Sequence, residues 1–88
     1  RMIVEIADSG SAYIRYRVGE RVAEGQIEVG GEGSEVLADV NGAGDLIGIE
    51  IVDVAIAESV ERARSYTAGR GLRFPRDLVA AARGATVA

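Results

Sequence analysis

The chain has no cysteine, no histidine and no lysine in its 88 residues. The first absence excludes disulfides and thiolate metal sites. The second removes the commonest general base and the commonest zinc ligand. The third removes both a Ser-Lys nucleophile pair and the Gly-Lys-Ser/Thr phosphate loop, so Ser9, Ser11, Ser34, Ser59 and Ser65 have no base to activate them. Every basic residue is arginine, which reads as the mark of a GC-rich genome. No apolar run approaches the roughly 18 residues of a membrane span, and no signal-peptide pattern is present. The expectation is a cytoplasmic protein without membrane contact.

At this length the expectation is a single domain over residues 1–88. A domain so small buries only about 60–65% of its unfolded surface. Without disulfide or metal, a well-made core or self-association must supply the rest. The net charge of −4 conceals a division: residues 1–53 hold 4 Arg against 11 Asp and Glu (−7), and residues 54–88 hold 6 Arg against 3 (+3). A basic C-terminal segment docking on an acidic sheet, in its own chain or a second copy, is the expectation that follows.

The first 52 residues carry strand patterns. Met2, Val4 and Ile6 share one face. Asp8-Ser9-Gly10-Ser11 is turn chemistry. Ile14, Tyr16 and Val18 alternate with Tyr13, Arg15 and Arg17. Arg21–Val29 reads as a third strand with a parity conflict, since Val22 is even while Ile27 and Val29 are odd; a bulge or bend within Val22–Ile27 is predicted to absorb it. Glu35–Val40 and Leu46–Val52 form a hairpin around Asn41-Gly42-Ala43-Gly44-Asp45. On the fifth strand Ile47, Ile49 and Ile51 make one apolar face. Leu46, Gly48, Glu50 and Val52 make the other, where a tyrosine from a neighbouring strand can lie over Gly48.

From Asp53, a predicted N-cap, the period becomes helical. Ile56, Val60, Ala63 and Thr67 form a stripe, Glu58 and Arg62 an i,i+4 pair, and Gly69 is the predicted stop. Pro75 opens a second helix over residues 75–84. The predicted fold is α+β: an antiparallel meander of about five strands (1–52), then one or two helices, the first over 53–69 and the second, where present, over 75–84.

Four sets of residues are candidates for function. Counting Asp39 as position one, Asn41, Gly44, Leu46 and Glu50 fall at the EF-hand positions three, six, eight and twelve. Ala43 at position five offers no oxygen, and the flanks read as strands, so the prediction is a hairpin turn; Asp39, Asp45 and Glu50 remain the metal candidates. Asp39 and Glu50 also form a carboxylate pair on adjacent strands, with little room for a substrate cleft beside them. Tyr13, Leu46 and Val52 are the candidates for an interface with a second copy. Arg62, Arg70, Arg73 and Arg76, with Arg64 and Arg83 and interleaved by Tyr66 and Phe74, are the candidate nucleic-acid contacts. The acidic chain weighs against that reading. No catalytic set and no cofactor motif stands out, so a non-enzyme is expected.

Three segments resemble the YuzE-like family of small bacterial proteins, a domain of unknown function. They are Asp8-Ser9-Gly10-Ser11-Ala12-Tyr13-Ile14, Val36-Leu37-Ala38-Asp39-Val40 and, most clearly, Gly44-Asp45-Leu46-Ile47-Gly48-Ile49-Glu50-Ile51-Val52. The last is similar to that family's Gly-x-Leu/Ile-Val-Gly-Ile-Glu-Ile-Leu run. The chain departs from the family at Asn41-Gly42-Ala43, where acidic residues are usual, and in a longer C-terminal region. The resemblance brings no activity or cofactor. Some members look like partners of small toxin-like proteins in two-gene cassettes, which implies an antitoxin or regulatory role. The expectation is a non-catalytic, homodimeric interaction module for a small protein partner, with nucleic-acid binding through the arginine-rich segment as the alternative.

Overall fold

The computed structural model describes residues 1–19 and 23–80. Five strands, β1 (Ile3–Ile6), β2 (Ala12–Arg15), β3 (Gly25–Glu28), β4 (Val36–Val40) and β5 (Leu46–Ile51), precede helix α1 (Ala57–Gly69). The α+β class and the wholly antiparallel sheet agree with the sequence pattern. The strand order departs from a simple meander: it is β1-β2-β5-β4-β3, with β2 against β5. The reason lies in β5. In a five-strand meander the most apolar strand would be an edge. In the observed order it is central, and Ile49 and Ile51 have no exposed surface.

Two of the turns share one local design. In β1–β2, the Ala7 N–H donates to the Ser11 carbonyl and the Gly10 N–H to the Ala7 carbonyl, each at 2.9 Å, with Gly10 at φ +95°. In β4–β5, the Asn41 N–H donates to the Asp45 carbonyl at 3.0 Å and the Gly44 N–H to the Asn41 carbonyl at 2.9 Å, with Gly44 at φ +84°. Both are three-residue loops that close on a glycine in the left-handed region.

β5 carries a bulge that the sequence pattern does not show. Asp39 pairs with Gly48, but Val40 pairs with Leu46, leaving Ile47 as the extra residue. From the other side, the N–H groups of Tyr16 and Arg17 both donate to the Ile47 carbonyl, at 2.8 and 3.1 Å. One extra residue inverts the alternation. Leu46 therefore joins the buried cluster of Ile49 and Ile51, while Ile47 is buried outside it. The predicted Ile47–Ile49–Ile51 face is in fact Leu46–Ile49–Ile51. In the third strand the ladder from Gly25 to Glu28 is regular. Val22, half of the conflict that predicted a bulge there, lies outside the described residues.

α1 and the segment after it cover one face of the sheet. Ala12, Ile14, Val36, Ala38, Leu46, Ile49 and Ile51 meet Val60, Ala63 and Leu78 in the core. The helix starts four residues later than predicted. Asp53 makes an Asx turn, its Oδ1 accepting the Ala55 N–H at 2.9 Å, and Ile56 is the N-cap, 41% exposed instead of lying on the buried stripe. Ser59 is buried in its place, with Val60, Ala63 and Thr67. The helix stop also shifts. Arg70 is the C-cap, Gly71 takes φ +71°, the Leu72 N–H reaches the Thr67 carbonyl at 3.0 Å and the Gly71 N–H reaches that of Ala68 at 2.9 Å. This is a Schellman ending with Gly71, not Gly69, as its left-handed residue. Gly71→Ala is expected to lose about 1 kcal/mol, since a Cβ there has space but the wrong backbone region. Gly69→Ala should stabilise slightly, and urea unfolding midpoints of the two variants separate the predicted stop from the observed one.

Residues 76–80 are helical after the buried Pro75. The rest of the predicted second helix, with Arg83 and Gly84, lies outside the described residues. Leu78 is 1% exposed, so this segment docks on its own chain, and through an apolar side chain. The Tyr16 hydroxyl holds the connection in place by donating to the Arg73 carbonyl at 2.6 Å. The helix arginines pair locally, Arg62 with Glu58 at 3.1 Å and Arg64 Nε with Glu61 at 2.9 Å.

Candidate functional site

The sheet face opposite α1 is made by the alternate residues. Strand register lines up Glu5, Tyr13, Glu50, Leu37 and Glu28 in one cross-strand row, and Ile3, Arg15, Gly48, Asp39 and Gln26 in the next. Acidic groups dominate it. At its centre the Tyr13 hydroxyl donates to Asp39 Oδ2 at 2.9 Å, reaching from β2 across β5 to β4. It can do so because Gly48 lies beneath: a Cβ on Gly48 would overlap the Tyr13 hydroxyl and ring carbons. This is the tyrosine-over-glycine arrangement the sequence predicts. Gln26 Nε2 on β3 donates to the other oxygen, Asp39 Oδ1, at 3.1 Å. The Arg15 guanidinium lies 5.1 Å from the Tyr13 ring centre.

Both Asp39 oxygens thus accept a hydrogen bond, and the network joins β2, β4 and β3, passing over β5, across the open face. Burial and the hydrogen bond to Asp39 push the Tyr13 phenol from 10.0 up to about 12. The folded chain holds this proton more tightly than the unfolded one. Its contribution to stability is therefore intact below about pH 10 and is lost as pH rises towards 12. Tyr16 is also raised, by its own burial. Tyr13→Phe is therefore expected to remove part of the alkaline decline. The check is a comparison of urea midpoints near pH 9 and pH 11.5, where the wild type should fall further than Tyr13→Phe; equal falls would show that Tyr13 is not responsible.

The metal candidates do not converge. Asp39 is engaged by Tyr13 and Gln26, Asp45 pairs with Arg17 at 3.3 Å, and Glu50 stands opposite Tyr13 and Leu37. Among the described residues no group of three or more carboxylates is placed to hold a metal ion. Asn41 is occupied as a turn former, its Oδ1 accepting the N–H groups of Ala43 at 3.0 Å and Asp45 at 2.9 Å. Of the interface candidates, Tyr13 lies half-buried on the open face and Val52 is 41% exposed just beyond β5, but Leu46 is 4% exposed in the core. The bulge at Ile47 is what removes Leu46 from the surface.

The arginines are distributed rather than gathered. Arg62 pairs with Glu58; Arg70 stacks 4.8 Å from the Tyr66 ring centre and donates to the Gly44 carbonyl at 3.2 Å. Arg73 and Arg76 stand beside Met2, Val4 and Phe74 at the β1 margin. Tyr66 and Phe74, the two candidate base-stacking rings, both pack against the core. Gln26 and the Arg17–Asp45 pair are contributors that sequence reasoning did not single out. Pairing of Gln26 with Asp39 depends on strand order and register, and no local signal carries that.

Comparison with known proteins finds no matching family model, no matching curated sequence and no matching solved structure. Among the described residues no helix is long and apolar enough to cross a membrane.

Proposed function

We propose that this chain is a non-catalytic interaction module that works as a homodimer and binds a small basic protein partner in an antitoxin-like or regulatory role. The observation that carries the reading is the open sheet face, where Glu5, Glu50 and Glu28 surround Tyr13 and Leu37 in one row. Acidic groups around an aromatic held in one position suit recognition of a cationic surface: the charge steers encounter and the ring offers contact at low entropic cost. Asp39 is spent on holding Tyr13, which favours display over acid–base chemistry. The resemblance of Gly44–Val52 to the YuzE-like run supports the antitoxin-like part. The nucleic-acid alternative draws on Arg73 and Arg76 at the β1 margin, with fewer rings and arginines left to serve it.

Affinity capture from the native cell, with the wild-type chain and with Glu50→Arg, tests the proposal. A small basic protein retained by the wild type, lost with Glu50→Arg and eluted by moderate salt is the expected result. Equal retention by both chains, or retention of nucleic acid in place of a protein, would overturn it.

A further inference from the structure

The two sheet edges, β1 and β3, have no strand beyond them among the described residues, and they are built differently. β3 is Gly25-Gln26-Ile27-Glu28, preceded by Glu24 and followed closely by a glycine loop. Charge and glycine of this kind discourage pairing. β1 is Ile3-Val4-Glu5-Ile6, with one charge, and its Ile3, Val4 and Ile6 are 37%, 37% and 59% exposed. The hairpin determines which backbone groups of β1 face outward. Ala7 donates its N–H to Ser11, and Ile3, Val4, Glu5 and Ile6 stand opposite Arg15, Ile14, Tyr13 and Ala12. Hydrogen bonding alternates along an antiparallel strand. Ile3 and Glu5, like Ala7, therefore turn N–H and C=O to β2, and Met2, Val4 and Ile6 turn theirs to the open edge.

We propose that a second copy of this chain pairs antiparallel along β1, centred on Val4, so that one sheet runs through both copies. This rests on the homodimer read above and specifies its interface. A twofold axis through an antiparallel pair keeps the two helix-covered faces on the same side, so opposed residues must belong to one face. Centres at Ile3, Val4 or Glu5 meet that condition with Met2, Val4 and Ile6 as the bonding residues. Centring on Glu5 sets two carboxylates at a non-hydrogen-bonded pair, where Cα atoms approach to about 4.5 Å and like charges repel. Centring on Ile3 carries Ile6, the most exposed apolar residue of β1, well past the end of the second copy's β1. Centring on Val4 opposes Val4 to Val4, Met2 to Ile6 and Ile3 to Glu5, and uses the whole strand. Ile6 of the second copy then reaches the mouth of a cleft where Met2, Val4, Phe74 and Pro75 offer apolar contact beside the charged Arg73, Arg76 and Asp77.

The chain has no cysteine, so a single introduced one reports alone. Val4→Cys is expected to give a disulfide-linked dimer under a mild thiol oxidant, since a hydrogen-bonded pair sets Cα atoms about 5.5 Å apart, within a disulfide's reach. Glu5→Cys should stay unlinked, because its counterpart is offset along the strand. In sedimentation equilibrium the wild type should be a dimer. Val4→Pro, which removes an outward N–H, and Ile6→Lys, which charges an exposed position, should each raise the dissociation constant at least about tenfold, with the far-UV spectrum retained. A wild-type dimer that Ile6→Lys leaves intact, or one that links through Glu5→Cys and not Val4→Cys, overturns this interface and leaves the homodimer standing. A wild-type chain sedimenting as one copy at tens of micromolar overturns both.

Discussion

Gly48→Val is expected to destabilise this protein by about 2–4 kcal/mol, even though valine is the better strand former. The backbone at Gly48 lies outside the left-handed region, so the substitution meets no conformational barrier. On propensity alone it would stabilise by up to about 1 kcal/mol. The Tyr13 ring decides the sign. Any Cβ at Gly48 overlaps the ring and its hydroxyl, with the β5 backbone on one side and the bond to Asp39 holding the other end. Displacing Tyr13 breaks that bond and leaves Asp39 with Gln26 alone. For a domain of this size the loss corresponds to roughly 10–25 °C in thermal midpoint. The cycle with Tyr13→Ala is the check: in the Tyr13→Ala background Gly48→Val should be neutral or stabilising, because the obstructing ring is gone. A cost unchanged by Tyr13→Ala would mean that the ring is not the obstacle.

Leu46→Glu is expected to abolish folding, whereas Val52→Glu should leave the chain folded. On the simple alternation of the sequence these two residues share a face and should respond alike. The bulge at Ile47 separates them: Leu46 is 4% exposed among Ile49, Ile51 and Val36, and Val52 is 41% exposed beyond the strand end. Truncating a buried leucine costs about 2–5 kcal/mol, and an unpaired buried carboxylate adds several more. The total stability expected of 88 residues is only about 4–13 kcal/mol. Far-UV circular dichroism of the two variants is sufficient to read the result. A folded Leu46→Glu would restore the unbulged register.

The local code was legible. Asp8–Ser11 and Asn41–Asp45 announce tight turns through Asn, Asp and glycine, and both form. The i,i+4 pair of Glu58 and Arg62 forms because it needs nothing but a helix. The ring over Gly48 was legible too, since a glycine among isoleucines on a two-sided strand asks for an aromatic neighbour. The helix ends were less so. Asp53 serves an Asx turn and not a cap, and two glycines two residues apart compete for the stop, with Gly71 taking the positive φ.

By itself the sequence determined the class of the fold, the two tight turns at Asp8–Ser11 and Asn41–Asp45, the presence of the helix, and the exclusion of cysteine, histidine and lysine chemistry. These follow from residue type, period and turn chemistry, which act over a few neighbours. Tertiary structure alone decided that β2 joins β5, that Ile47 bulges and sends Leu46 inward, and that Asp39 meets both Tyr13 and Gln26. It also decided that β1 is left as an apolar edge. Each of those depends on which strands lie side by side, and that is settled by burying the most apolar strand at the centre of the sheet, a condition on the whole chain that no local stretch of it contains.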